Sequence, residues 1–67
     1  MQTARWDCEG NLVITSVPKE NDRINIHDMI ARVLKLEHSS RHNFITYEVM
    51  YGDRIRGTFT DKLIVGG

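Results

Sequence analysis

The sequence predicts an α+β fold, a small ββαββ(β) domain in which one helix packs on an antiparallel sheet and the last strand is short. Three observations support this fold class. Residues 3–17 alternate apolar and polar around a Gly-Asn pair, residues 26–37 carry apolar residues at helical spacing, and residues 45–59 alternate again. The alternative is an all-β small barrel, because the middle segment also supports a strand.

The first two strands are predicted to form a hairpin with a two-residue turn at Gly10 and Asn11. This register leaves Leu12 and Ile14 on the outer face, where they need a cover. The register places six residues on the inner face: Ala4, Trp6, Cys8, Val13, Thr15 and Val17. Cys8 is therefore expected to be a buried structural thiol.

Residues 26–37 are predicted to form a helix, with Asn25 as the N-cap and Asp28 near the positive end of the helix dipole. Five apolar residues follow the spacing of one helical face: Ile26, Met29, Ile30, Val33 and Leu34. Residues 33–38 also alternate as a strand does. In the all-β alternative, three segments form a meander of SH3-like or Tudor-like form: 33–38, 45–51 and 55–59.

The clearest strand signal lies in residues 45–51, followed by a predicted three-residue loop over 52–54. We prefer this loop to a two-residue turn at Gly52 and Asp53, because it makes one face of the hairpin apolar. It predicts three facing pairs: Tyr51 with Ile55, Val49 with Gly57, and Tyr47 with Phe59. A last short strand is predicted over 62–65.

Length and charge limit the function classes. The 67 residues predict one binding domain over 1–67, and nine Lys and Arg balance nine Asp and Glu. Neutral charge argues against a nucleic-acid binder that depends on bulk positive charge. The sequence has one cysteine and no apolar run of membrane-spanning length, and neither a membrane span nor a secretory signal is expected. We therefore expect a cytoplasmic protein.

Catalysis, a cofactor and a metal are not expected. His38 and His42 have a spacing that two zinc ligands could use, but no second close pair completes a tetrahedral site. Cys8 is flanked by Asp7 and Glu9, which is the wrong setting for a thiolate nucleophile. We interpret the histidines as solvated loop residues and the protein as non-enzymatic.

Two sets of residues are candidates for binding. Four are predicted to cluster near one end of the second hairpin and to hold a small, nucleotide-like anion: Arg41, His42, Arg54 and Arg56. The simpler interpretation is a solvated strand face with Glu48 as a cross-strand partner. Five apolar residues are expected to lie uncovered at a protein interface: Leu12, Ile14, Leu36, Met50 and Leu63.

The leading hypothesis is a non-enzymatic binding protein that forms a homo-oligomer. It would modulate or inhibit a larger protein, or sequester a small anionic ligand. Compact chains of this kind are frequent in phages and mobile elements, so by analogy a phage or mobile element is a candidate source. A nucleic-acid module that uses the arginines is a further alternative. Self-association is expected because a chain of this size has little core of its own to cover its apolar residues.

The sequence ends in Gly66 and Gly67. With the first hairpin, the helix over 26–37 and the segment 51–55, this ending resembles the ubiquitin-like sulfur carriers of the thiamine and molybdopterin pathways. The resemblance implies a β-grasp fold and a terminal glycine carboxylate that becomes a thiocarboxylate. The simpler interpretation is an extended terminus that ends in glycine.

Overall fold

Six β-strands form a closed barrel in the computed structural model, which describes residues 1–66 apart from the side chains of Ile55 and Arg56. The strands are β1 Gln2–Trp6, β2 Leu12–Ile14, β3 Arg23–Ile26, β4 Met29–His38, β5 Asn43–Tyr51 and β6 Arg54–Val65. Their order around the barrel is β1-β2-β6-β5-β4-β3. Within residues 1–66, no helix is long and apolar enough to cross a membrane.

The predicted α+β fold is therefore wrong, and the all-β alternative fits. The segment predicted as a helix forms the β3–β4 hairpin, in which Ile26 pairs with Met29 across a tight turn. His27 in this turn has a φ of +55°, a left-handed conformation that ends any helix at this point. Ala31 and Val33 are buried at alternate positions of β4, so the strand period decides the structure.

The predicted meander is present as β4, β5 and β6, which pair antiparallel. The loop between β5 and β6 is shorter than predicted, because Tyr51 pairs with Arg54 across a two-residue turn. Gly52 in this turn has a φ of +61°, which glycine adopts without strain. One extra residue on β6 then forms a bulge. The bulge restores two of the predicted pairs: Val49 with Gly57 and Tyr47 with Phe59.

The register of the first hairpin also differs from the prediction, because Trp6 pairs with Leu12 rather than with Thr15. Asp7 explains the difference. Its Oδ1 atom accepts hydrogen bonds from the backbone N–H groups of Glu9 and Asn11, both at 2.9 Å. The bond from Asn11 holds the pKa of the Asp7 carboxyl below its ordinary value. These bonds close a five-residue loop over 7–11 in place of the predicted two-residue turn at Gly10 and Asn11.

This register reverses the predicted faces of β2. Leu12 and Ile14 are 0% and 1% exposed, so the prediction that they lie uncovered is wrong. Cys8 is exposed in the loop, so the predicted buried thiol is wrong too. Leu63, which pairs with Leu12 where β6 closes the barrel, is also buried. Eleven of the described residues form the core: Ala4, Leu12, Ile14, Ile24, Ile26, Ala31, Val33, Ile45, Tyr47, Val49 and Leu63.

Strand β6 has one open edge. It pairs with β5 from Arg54 to Leu63, whereas β2 pairs only with residues 63–65. Among the pairings described for residues 1–66, residues 54–62 therefore have a partner strand on one side alone. Such an edge presents backbone N–H and C=O groups that an additional strand can use.

Candidate functional site

An apolar groove opens on the barrel surface, and the open-edged stretch of β6 contributes to it. Its volume is about 560 Å³, which is in the range of ligand sites in proteins. Among the described side chains, six from β1, β4, β5 and β6 line it: Trp6, Met29, Tyr47, Val49, Tyr51 and Phe59. Four of the six side chains are aromatic, and we call this site the aromatic groove.

The strand geometry explains why these residues meet. Tyr47, Val49 and Tyr51 alternate along β5, so their side chains point to the same face of the sheet. Phe59 faces Tyr47 across the β5–β6 pair, and their ring centroids lie 5.9 Å apart. Tyr47 is buried, whereas Tyr51 and Phe59 are 61% and 51% exposed. The groove therefore has a buried aromatic floor and an exposed aromatic rim.

A carboxylate anchors two of the aromatic rings. The Oδ2 atom of Asp61 accepts a hydrogen bond from the Tyr47 hydroxyl at 2.5 Å and another from the Trp6 Nε1–H group at 3.1 Å. Trp6 also stacks on His27, with centroids 5.2 Å apart and 30° between the ring planes. These contacts fix the orientation of Trp6 and Tyr47, so the groove walls are held in place before any ligand binds.

The Tyr47 hydroxyl is held in its protonated form. Burial, followed by the hydrogen bond to the Asp61 carboxylate and its negative charge, raises the pKa of Tyr47 well above its ordinary value. Deprotonation would place two negative charges next to each other inside the barrel wall. The Tyr47 hydroxyl is consequently a poor acid or base near neutral pH.

The raised pKa predicts a loss of stability in alkali. The unfolded chain releases the tyrosine proton near pH 10, whereas the folded protein retains it. The contribution of Tyr47 is therefore complete below about pH 10, and above it the free energy of unfolding falls by up to about 1.4 kcal/mol per pH unit. Urea unfolding over a pH series measures this slope, and Tyr47→Phe should make it shallower. An unchanged slope in that variant contradicts the assignment.

The predicted anion site is not assembled. Arg41 and His42 precede β5, and Arg54 follows it. Because β5 is nine residues long, its ends lie about 26 Å apart at about 3.3 Å per residue. The prediction that these residues cluster is therefore wrong, and the side chain of Arg56 lies outside the described residues. Glu48 pairs instead with Arg32 on β4, at 2.6 Å.

The other sequence candidates do not form a site either. Among the side chains described, no group of three or more His, Cys, Asp or Glu could hold a metal ion, and His38 contacts Asn43.

The β-grasp fold implied by the sulfur-carrier resemblance is wrong, because the chain is a barrel. The Gly66 N–H group donates to the Ile14 carbonyl at 2.8 Å, and Gly67 lies outside the described residues. Leu36 and Met50 are half-buried.

Sequence reasoning missed the aromatic groove. The pairing of Tyr47 with Phe59 on one apolar face was predicted, but no groove was predicted there. A usable signal was the excess of large rings on one face of a short hairpin, since a small barrel has little internal volume for them. The contributions of Trp6 and Met29 follow only from the closure of the barrel.

Comparisons of this chain with protein-family models, with curated proteins and with solved structures found no match.

Proposed function

We propose that this protein is a non-enzymatic interaction module that binds an extended segment of a partner protein in the aromatic groove. The observation that carries the proposal is the exposed rim. Tyr51 and Phe59 each leave more than half of their surface in solvent above a groove that is already shaped. Exposed apolar surface around a preformed groove is typical of an interaction site.

Aromatic rings suit this role because they offer a large contact area at a small loss of side-chain freedom. Aromatic-lined grooves are a recurrent means of binding extended peptides. Here the hydrogen bonds from Trp6 and Tyr47 to Asp61 hold two of the four rings before binding. A ligand therefore loses little of its binding energy to ordering the site.

The open edge of β6 supports an extended ligand. Residues 54–62 pair only with β5 among the described pairings, and Phe59 lies within this stretch. A peptide that adds a strand to this edge gains backbone hydrogen bonds, while alternate side chains enter the groove. An extended segment can use both features at once.

We propose that the bound segment belongs to a larger protein that this chain modulates or inhibits, in the cytoplasm. Catalysis is not part of the proposal, because the Tyr47 hydroxyl at the groove is held in a hydrogen bond to the Asp61 carboxylate. Sequestration of a small anion is not proposed, since Arg41 and Arg54 lie at opposite ends of β5. Self-association stays a prediction and is one outcome of the test below.

The test uses random twelve-residue peptides displayed on phage, followed by fluorescence polarisation with the enriched sequences. Phe59→Ala should weaken binding by about tenfold or more, because exposed aromatic anchors carry most of the energy at such sites. The matched control is Phe44→Ala, which removes the other phenylalanine at the far end of β5. It should bind as the unmodified protein does.

Three results would overturn the proposal. The library could contain no enriched peptide, or the enriched peptides could bind equally well to Phe59→Ala. Light scattering could also show a dimer that Phe59→Ala dissociates, in which case a second copy of the chain occupies the groove. Trp6 fluorescence checks that each variant is folded, since the chain has one tryptophan.

A further inference from the structure

Asp61 forms no salt bridge with any described side chain. Its Oδ2 atom accepts both hydrogen bonds, and its Oδ1 atom accepts none from the described side chains. The salt bridges of the described residues join Arg32 to Glu48 and Lys35 to Glu37, and neither involves Asp61. Both of these donors are neutral, so the charge of Asp61 lies within hydrogen-bond distance of two groove-lining residues, Trp6 and Tyr47, and can act on a ligand there.

The aromatic rings favour the same sign of ligand charge. The face of an aromatic ring is the negative end of its quadrupole, and a Lys or Arg side chain within about 6 Å of the ring centre is attracted to it. Four such rings line the groove: Trp6, Tyr47, Tyr51 and Phe59. Tryptophan is the strongest partner for a cation in this interaction.

Acidic ligands are disfavoured for the same reason. None of the six described residues that line the groove is a lysine, an arginine or a histidine. An Asp or Glu side chain entering the groove would lie near the Asp61 carboxylate, which bonds to Trp6 and Tyr47, and against the negative faces of the rings. It would be repelled there and would find no positive partner among the lining residues.

We infer that the segment bound in the aromatic groove carries a lysine or arginine side chain, which lies against the ring faces beside the Asp61 carboxylate. The inference rests on the proposed function and specifies its ligand. The aliphatic stem of the side chain packs on the apolar walls, and the charged end meets Asp61. Trp6 and Tyr47 are positioned by the same carboxylate, which couples the shape of the groove to its charge.

The test starts from the peptides enriched in the display experiment. We expect them to share a lysine or arginine at a fixed position, and we expect replacing it by norleucine to weaken binding by about tenfold. In Asp61→Asn the same replacement should change binding by less than about threefold. Asparagine is a suitable substitution because its side-chain oxygen can still accept the bonds from Tyr47 and Trp6.

The outcomes separate this inference from the proposed function. Enriched peptides that lack a shared basic residue, or norleucine peptides that bind equally well, overturn the inference alone. The loss of binding in Phe59→Ala would then still support the groove as a peptide site. The absence of any enriched peptide overturns both. The peptide-side comparison needs only the unmodified protein, so it decides the inference even where Asp61→Asn does not fold.

Discussion

Replacing Ala31 by glutamate is expected to unfold the protein. Ala31 is 0% exposed on the inner face of β4, opposite Ile24 on one side and Val49 on the other. A carboxylate at this position has no partner and loses its hydration, which costs several kcal/mol. Since a small domain has a total stability of about 5–15 kcal/mol at most, this loss is comparable with the whole. Far-ultraviolet circular dichroism and Trp6 fluorescence report the unfolding.

Lys35→Glu is the matched control, because it places the same residue at an exposed position of the same strand. It removes the Lys35–Glu37 ion pair on the surface, so the protein should remain folded. In a helix over 26–37, Ala31 would lie off the apolar face and glutamate would be tolerated there. A folded Ala31→Glu variant therefore argues for the helix and against the barrel.

Leu12→Ala should lower the free energy of unfolding by about 2–5 kcal/mol, as expected for a fully buried leucine in a rigid core. Leu12 is 0% exposed and pairs with Leu63 at the closure of the barrel. The cavity left by the substitution would lie between β2 and β6. Urea unfolding followed by Trp6 fluorescence measures the change.

The neighbouring Val13→Ala is the control for this register. Val13 is half-buried on the outer side of β2, so its truncation should cost about 1 kcal/mol or less. The two-residue Gly10-Asn11 turn predicts the opposite, with Val13 in the core and Leu12 outside. A larger loss in Val13→Ala than in Leu12→Ala would show that the loop over 7–11 is not formed as described.

The second hairpin was largely predictable because its side-chain pattern allows one apolar face only. Val49 with Gly57 and Tyr47 with Phe59 are found as predicted. The turn was not predictable from this pattern. A three-residue loop and a two-residue turn with a bulge shift the strand by the same amount, and therefore place the same side chains on the inner face.

The middle segment could not be assigned from local pattern alone. Its apolar residues satisfy a helical period and a strand period together, so the choice depends on partners far away in the chain. Here β4 pairs with β3 on one side and with β5 on the other, and its backbone groups are satisfied between strands. Asn25 and Asp28 suit the start of a helix. Here Asn25 lies in β3, and Asp28 lies beside His27 in the tight turn before β4.

The predicted register of the first hairpin was wrong for a different reason, which is the hydrogen bonding of a side chain in the loop. The prediction treated Asp7 as a strand residue, whereas its carboxylate binds the backbone of Glu9 and Asn11. In the resulting register Leu12 and Ile14 lie in the core, so they are not part of an exposed interface as predicted. The aromatic groove was equally inaccessible to local reasoning, because it joins residues from four strands that only the closed barrel brings together.

The aromatic groove as the binding site is tested most directly by nuclear magnetic resonance during titration with an enriched peptide. The single tryptophan gives one indole N–H signal, from the Nε1 atom that donates to Asp61. We expect this signal and the amide signals of residues 57–61 to shift with saturation, while those of the loop over 39–42 stay in place. Shifts centred on that loop, with the Trp6 signal unchanged, would contradict the account.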